Sequence, residues 1–299
     1  MKIGFIGLGK MGANMVTRLL QGGHQVVVND HHQEAIDQAV SEGAEAATSR
    51  EELAQKLATT AIVWLMIPAA AVDAEIDALL KLLPRGSIII DGGNSDFRDT
   101  RKRYAICQAA GIELIDVGTS GGILGLKDGY CMMAGGDQAT FTTIEPFIQA
   151  LAQENGYKYF GPTGAGHYIK MTHNAIEYAM MEAYAEGYHF LKNGQDYPGL
   201  DLAGVASVWQ QGSIIASSLN GLAGAVFTAN PELAGIDGYV AESGEARWTL
   251  EVAKNQRITL PAIQAALDDR IASEQGTTNF GTKLLAAMRN AFGGHKLNK

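Results

Sequence analysis

Over residues 1–163 short apolar runs alternate with segments whose apolar positions recur every three or four residues. The runs are KIGFIGLG, QVVVND, TAIVWLMIP, GSIIIDGGN, IELIDVG and YCMMAGG, and GYKYFG reads as a closing strand. Apolar runs bounded by turn residues suit strands buried on both faces, while KMGANMVTRLLQGG and QEAIDQAVSEG between them read as helices. This alternation predicts an α/β domain of Rossmann type, with a doubly wound, mostly parallel sheet. From residue 164 the strand pattern stops. Helices are predicted over 165–193, 201–219, 243–255, 260–273 and 278–292, with Asp201 and Thr259 as N-caps, Pro261 at a helix start and Asn193-Gly194 as a stop. The chain therefore divides into a Rossmann-type domain, 1–163, and an all-α domain, 164–299, joined at the Gly/Pro-rich FGPTGAGH.

One helix breaks the apolar rule. Lys170, His173, Asn174, Glu177 and Tyr178 fall at i, i+3, i+4, i+7 and i+8 and so share a face. An ordinary buried stripe would be Leu and Ile. Lys170 and Glu177 are about 10 Å apart along the axis, room for a small open-chain sugar acid. A lysine and a carboxyl so placed can move protons at different carbons, provided that burial or neighbours lower the lysine's pKa. The bland alternative is a snorkelling lysine and a solvated glutamate.

Gly7, Gly9 and Gly12 form G-x-G-x-x-G between the first strand and the first helix, with Leu8, Lys10 and Met11 in the same turn. That context, with an acid about 20 residues on, reads as a dinucleotide site: the helix N-terminus meets the pyrophosphate and Asp30 meets the ribose hydroxyls. Asp30 would repel a 2′-phosphate and no arginine follows it, so NAD is expected over NADP, although a protonated His31 or His32 would soften the discrimination. Asn29 and Met66, at the ends of their strands, are assigned to the same cofactor. Two further glycine turns follow strands, DGGNS with Asn94 and SGG with Ser120, Gly121 and Gly122. That edge of an open sheet is where ligands bind.

Composition narrows the field. With 23 Lys+Arg against 32 Asp+Glu the net charge is −9, and no basic block stands out, which disfavours nucleic acid and an anionic membrane surface. Two cysteines without metal-ligand spacing suggest a reducing cytoplasm. The N-terminus lacks the regions of a signal peptide, and the most apolar window, 58–72, is too short to span a bilayer.

GLGKMG, DGGNS, SGG, KMTHNAIEY, GEARWT and RNAFGGH together resemble 6-phosphogluconate dehydrogenase (decarboxylating), in a short form without the duplicated helical half of the longer enzymes. The resemblance covers the whole chain. It implies oxidative decarboxylation of 6-phospho-D-gluconate to ribulose 5-phosphate in the pentose phosphate pathway, without a metal. Lys170 matches the base at the 3-hydroxyl and Glu177 the acid that protonates C1. Asn94, Ser120, Gly121, Gly122, His173 and Asn174 match the residues that hold the sugar acid, and Asn94 also lies near the nicotinamide. Tyr178, Arg247, Arg270, Arg289 and His295 match the phosphate set. Arg247 stands where the longer enzymes resemble GTGKWT with a lysine, and NDH stands where they resemble NRT. Arg289 and His295 match a C-terminal segment that enters a neighbour's active site, which implies a dimer or tetramer. Two rivals remain. A β-hydroxyacid dehydrogenase acting on an acid such as 3-hydroxyisobutyrate would share the glycine loop, SGG and a lysine. A non-catalytic dinucleotide-binding protein would dispense with the proton-transfer pair.

Overall fold

A computed structural model describes residues 1–57 and 60–297. The apolar window 58–72 therefore begins with two residues, 58 and 59, outside the described ones, and the predicted all-α domain ends with two more, 298 and 299. Among the described residues no helix is long and apolar enough to cross a membrane.

The chain forms two compact units, Met1–Met171 and Thr172–Lys299. In the first, β1 (Lys2–Ile6), α1 (Lys10–Gln21), β2 (Gln25–Asn29), α2 (Gln33–Ser41), β3 (Glu45–Ala46), α3 (Arg50–Lys56), β4 (Ile62–Leu65), α4 (Ala69–Leu79), β5 (Ile88–Asp91) and α5 (Phe97–Ala110) alternate. Then come β6 (Glu113–Ser120), a 3-10 turn at Gly122–Leu124, α6 (Gly125–Asp128), β7 (Tyr130–Gly135), α7 (Gln138–Leu151) and β8 (Ala152–Tyr159). The sheet order is β3-β2-β1-β4-β5-β6-β7-β8. The first six strands run parallel and β7 is antiparallel to β6. The link from Ser120 to Tyr130 is shorter than the dozen or so residues that a parallel crossover needs, so the chain must reverse. The winding changes direction between β1 and β4, which opens a crevice at their carboxyl ends.

Alternating strand residues feed two cores. Phe5, Trp64, Ile90, Val117 and Phe147 pack on one face of the sheet, and Val27, Val63, Leu65, Ile89 and Leu114 on the other. Helix starts are fixed by side chains: Ser49, Asp96 and Asp137 accept backbone N–H groups at the beginnings of α3, α5 and α7.

The long helix α8 (Ala165–Asn193) leaves the first unit at Met171 and continues in the second. The second unit adds α9 (Leu202–Trp209), α10 (Ser218–Ala229), α11 (Glu245–Asn255), α12 (Pro261–Glu274) and α13 (Phe280–Gly293). Its core gathers Met181, Tyr188, Phe227, Leu284, Leu285 and Met288. The single helix expected over 201–219 is two. Gly212 takes a left-handed φ of 73°, and the Ser217 hydroxyl accepts the Asn220 N–H at 3.1 Å to start α10, which runs ten residues past the expected end. Asp201 stands at the N-cap of α9, whereas α12 is capped by Leu260 rather than Thr259, with Pro261 at its first position.

An added Cβ on Gly12 would stand 2.0 Å from the Gly7 carbonyl oxygen. Gly12→Ala is therefore expected to cost ~1–3 kcal/mol through overpacking, read as a lower urea midpoint; an unchanged midpoint would show that α1 can shift freely.

Candidate active site

At the crevice of the first unit the three glycines divide the work. Gly7 has φ 100°, and a Cβ there would meet the Met66 carbonyl oxygen at 2.3 Å, so it lets β1 and β4 close together. Gly12 allows α1 to start directly on the loop. A Cβ on Gly9 would meet nothing within 4 Å, so this turn borders open space at the α1 N-terminus, where a pyrophosphate would accept N–H groups. Asp30 accepts the Leu8 N–H at 2.6 Å and the His32 N–H at 2.8 Å. Burial works to raise its carboxyl, and the bonds from Leu8 and His32 outweigh it and hold the carboxyl below its usual range. The acid is thus ionised and tied to the glycine loop. Asn29 ties two segments together, its amide donating to the Ala47 carbonyl at 2.8 Å. Donor set, open turn and ionised acid fit a dinucleotide.

Two turns flank this crevice. After β5, the buried Asp91 accepts from the Ser95 hydroxyl at 2.7 Å and from Arg103 Nη1 at 3.2 Å, which closes the loop that leaves Asn94 exposed. After β6, Ser120 is followed by Gly121 and Gly122, with φ 132° and 55°. Lys170, in the second turn of α8, is buried, and its side-chain stem lies on Gly118 of β6. The sequence reading missed Arg103 and Gly118, because neither carries a local spacing signal.

In the second unit α8 carries His173, Asn174, Glu177 and Tyr178. The Asn174 amide donates to Glu245 Oε1 at 2.9 Å, which orients it so that its oxygen accepts from His173 Nδ1 at 2.9 Å. Glu245, the first residue of α11, thereby fixes the histidine ring. The Tyr178 hydroxyl meets Ser243 Oγ at 2.8 Å and accepts the Ser243 N–H. The Arg270 guanidinium lies 3.2 Å from the centre of the Tyr178 ring. Ser243 and Glu245 were legible only as neighbours of GEARWT.

The arginines separate. Arg270 is 1% exposed, and its Nε and Nη1 find no hydrogen-bond acceptor among the described residues. Burial pulls its pKa down to about 10, with the charge of Arg289 adding to the fall, and it stays a cation at neutral pH. Arg289 on α13 is also buried. Arg247 is half exposed, reaches Glu242 at 3.3 Å and borders a cleft of about 820 Å³ between α11 and α12. His295 is exposed and packs edge-on to Phe292.

Known proteins place this arrangement. The NAD binding domain of 6-phosphogluconate dehydrogenase matches residues 2–162, and the 6-phosphogluconate dehydrogenase C-terminal domain matches residues 166–279. The chain is 42% identical over 300 residues, the whole of both chains, to YqeC of Bacillus subtilis, which carries a provisional 6-phosphogluconate dehydrogenase name. It is 38% identical over 300 residues to the NAD(+)-dependent, decarboxylating 6-phosphogluconate dehydrogenase of Haloferax volcanii, covering 99% of this chain and 98% of that one. Among solved structures, 6-phosphogluconate dehydrogenase of Plasmodium falciparum, studied apo, with NADP+ and with 6-phosphogluconate, is similar with a TM-score of 0.83 and 30% identity; the match covers 92% of this chain and 62% of that longer one. A 3-hydroxyisobutyrate dehydrogenase of Salmonella typhimurium shares the fold, with a TM-score of 0.77 at 21% identity over 95% of this chain and 99% of that one.

Beside Arg270 lies a carboxyl that the sequence did not single out. Burial pushes Glu182 up to about 8, the adjacent Asp269 adds to the rise and Arg270 opposes it. Between its ordinary 4.5 and about 8, Glu182 holds a proton in the folded chain and has lost it in the unfolded one. Its contribution is therefore full below that window and is lost as pH rises through it. Glu182→Gln is expected to flatten the fall of stability across this range and to raise the melting temperature at its upper end; denaturation curves at several pH values check this, and an unchanged slope would contradict it.

Proposed function

The chain belongs to the 6-phosphogluconate dehydrogenase family, and from that premise we propose that it oxidises and decarboxylates 6-phospho-D-gluconate to D-ribulose 5-phosphate and carbon dioxide, a step of the pentose phosphate pathway. NAD, preferred over NADP, supplies the hydride acceptor when bound. Gly7, Gly9 and Gly12 would admit its pyrophosphate, and the ionised Asp30 its ribose hydroxyls.

In this reading Lys170 takes the proton of the 3-hydroxyl as that carbon is oxidised. Burial suits a lysine to such work because leaving water disfavours the charged ammonium relative to the neutral amine, which is the form that accepts a proton. The β-keto acid then expels carbon dioxide, since the ketone accepts the electron pair, and the protonated Lys170 stabilises the enolate. Glu177, two turns along the same helix, delivers a proton to C1. Ser120, Gly121, Gly122 and Asn94 are assigned to the sugar acid's carboxylate and hydroxyls, as are His173 and Asn174.

Arg270 is the observation that carries the choice of a phosphorylated substrate. A fully buried guanidinium with two nitrogens unpartnered among the described residues, set on Tyr178, wants a dianion. An unphosphorylated acid such as 3-hydroxyisobutyrate would leave it uncompensated. Self-association to a dimer or tetramer belongs to the same reading, with the exposed His295 reaching a neighbour's site. Arg289, six residues before His295 in the same C-terminal segment, is assigned with it to the neighbour's site. Two free cysteines, Cys107 and Cys131, suit a cytoplasmic setting.

Reduced-nicotinamide absorbance with 6-phosphogluconate, gluconate and 3-hydroxyisobutyrate tests the proposal. Turnover is expected on 6-phosphogluconate, faster with NAD than with NADP, and lost in Lys170→Ala while NAD binding persists. Turnover on an unphosphorylated acid alone would overturn the substrate; NADP ahead would overturn the role of Asp30.

A further inference from the structure

β6 does more than carry Ser120. Its side chains alternate between the two faces of the sheet, so Asp116, Gly118 and Ser120 share one face. Asp116 is fully buried. One of its oxygens accepts the Gly164 N–H at 2.7 Å and the other accepts the His167 N–H at 2.9 Å. These are first-turn donors of α8, which the helix itself leaves unsatisfied. A distant carboxylate thus does what an N-cap side chain does locally, and its charge complements the positive end of the helix.

The helix start also presses directly on the sheet. A Cβ on Gly166 would stand 2.3 Å from the Met133 carbonyl oxygen and 2.9 Å from Asp116 Oδ2. A Cβ on Gly118 would stand 2.3 Å from Lys170 Cβ and 3.0 Å from its Cγ. Lys170 follows His167 by three residues, about one turn. The hydrogen bonds of Asp116 therefore set how far along β6 the helix begins, and Gly118 sets how near Lys170 comes.

We propose that Asp116 is a positioning residue for Lys170: it fixes the lysine's place along β6 relative to Ser120, with Gly118 giving the clearance. This rests on the reading of Lys170 as the base. The carboxylate touches neither substrate nor cofactor in this account; it acts through the register of α8. A shift of the base by about 1 Å is enough to cost on the order of 100-fold in rate.

The test is Asp116→Asn, which keeps the shape but offers one acceptor in place of two. Its kcat is expected to fall about 10- to 100-fold, with KM for 6-phosphogluconate and Kd for NAD within about threefold of wild type. An unchanged kcat, or equal losses in turnover and NAD binding, would make Asp116 a scaffold residue only. If Asp116→Asn does not fold, Gly118→Ala leaves the cap intact and displaces Lys170; it should lower kcat with NAD binding kept, and wild-type turnover would overturn the proposal. If the wild-type protein itself fails to act on 6-phosphogluconate, the functional reading falls separately. The positioning claim is then decided by competitive acetylation and mass spectrometry: the reactivity of Lys170 relative to the other lysines should change in Asp116→Asn, and an unchanged value overturns the claim.

Discussion

Two amide donors and one buried carboxylate, Gly164 and His167 against Asp116, decide where the long helix α8 begins on the sheet. Much of the candidate chemistry follows from that join. Gly118, Gly135 and Gly166 remove the side chains that would hold strand and helix apart. His167 adds a tie to α5 through the Thr100 hydroxyl at 2.7 Å, and α5 itself is bound to the Asn94 turn through Arg103 and Asp91. Lys170, the SGG turn and the DGGNS turn of the first unit are therefore held by one buried polar frame. Burying such a frame is costly where its members go unsatisfied; Asp91 and Asp116 each accept at least two hydrogen bonds, while His167 Nε2 finds no partner among the described residues.

The second constraint is charge. In the proposed reading, a chain of net charge −9 that is to hold a phosphorylated anion must concentrate its cations. It does so in the second unit by burying Arg270 against Tyr178 and placing Arg289 within its electrostatic reach. Glu182 keeps a proton beside them, which spares Arg270 a competing carboxylate in the neutral range. At the proposed cofactor end the sign is reversed: Asp30 stays ionised because backbone N–H groups of the glycine loop and of His32 point at it, and in the proposed reading that negative charge would repel a 2′-phosphate.

What was legible in the sequence was local. The glycine loop, the strand runs and the Lys170-to-Tyr178 stripe each follow from a fixed spacing on one element, so periodicity exposes them. The partners that orient these groups come from far along the chain and leave no such trace. Glu245 fixes Asn174 across 71 residues, and Asp116 caps a helix 48 residues on. The merged helix over 201–219 failed for a related reason: the apolar pattern runs on, while a positive φ at Gly212 and the cap at Ser217 break the backbone. Arg270 was named from resemblance, but its burial, which gives it its meaning, belongs to the packing of α8 against α12.

The account stands on two proton-moving groups placed on one helix, with separate roles. Stopped-flow mixing of Glu177→Gln with NAD and 6-phosphogluconate tests this most directly. The account predicts a burst of reduced nicotinamide stoichiometric with sites, because oxidation needs only Lys170, followed by slow turnover limited by protonation at C1. A wild-type steady rate without a burst would contradict it and remove Glu177 from the chemistry.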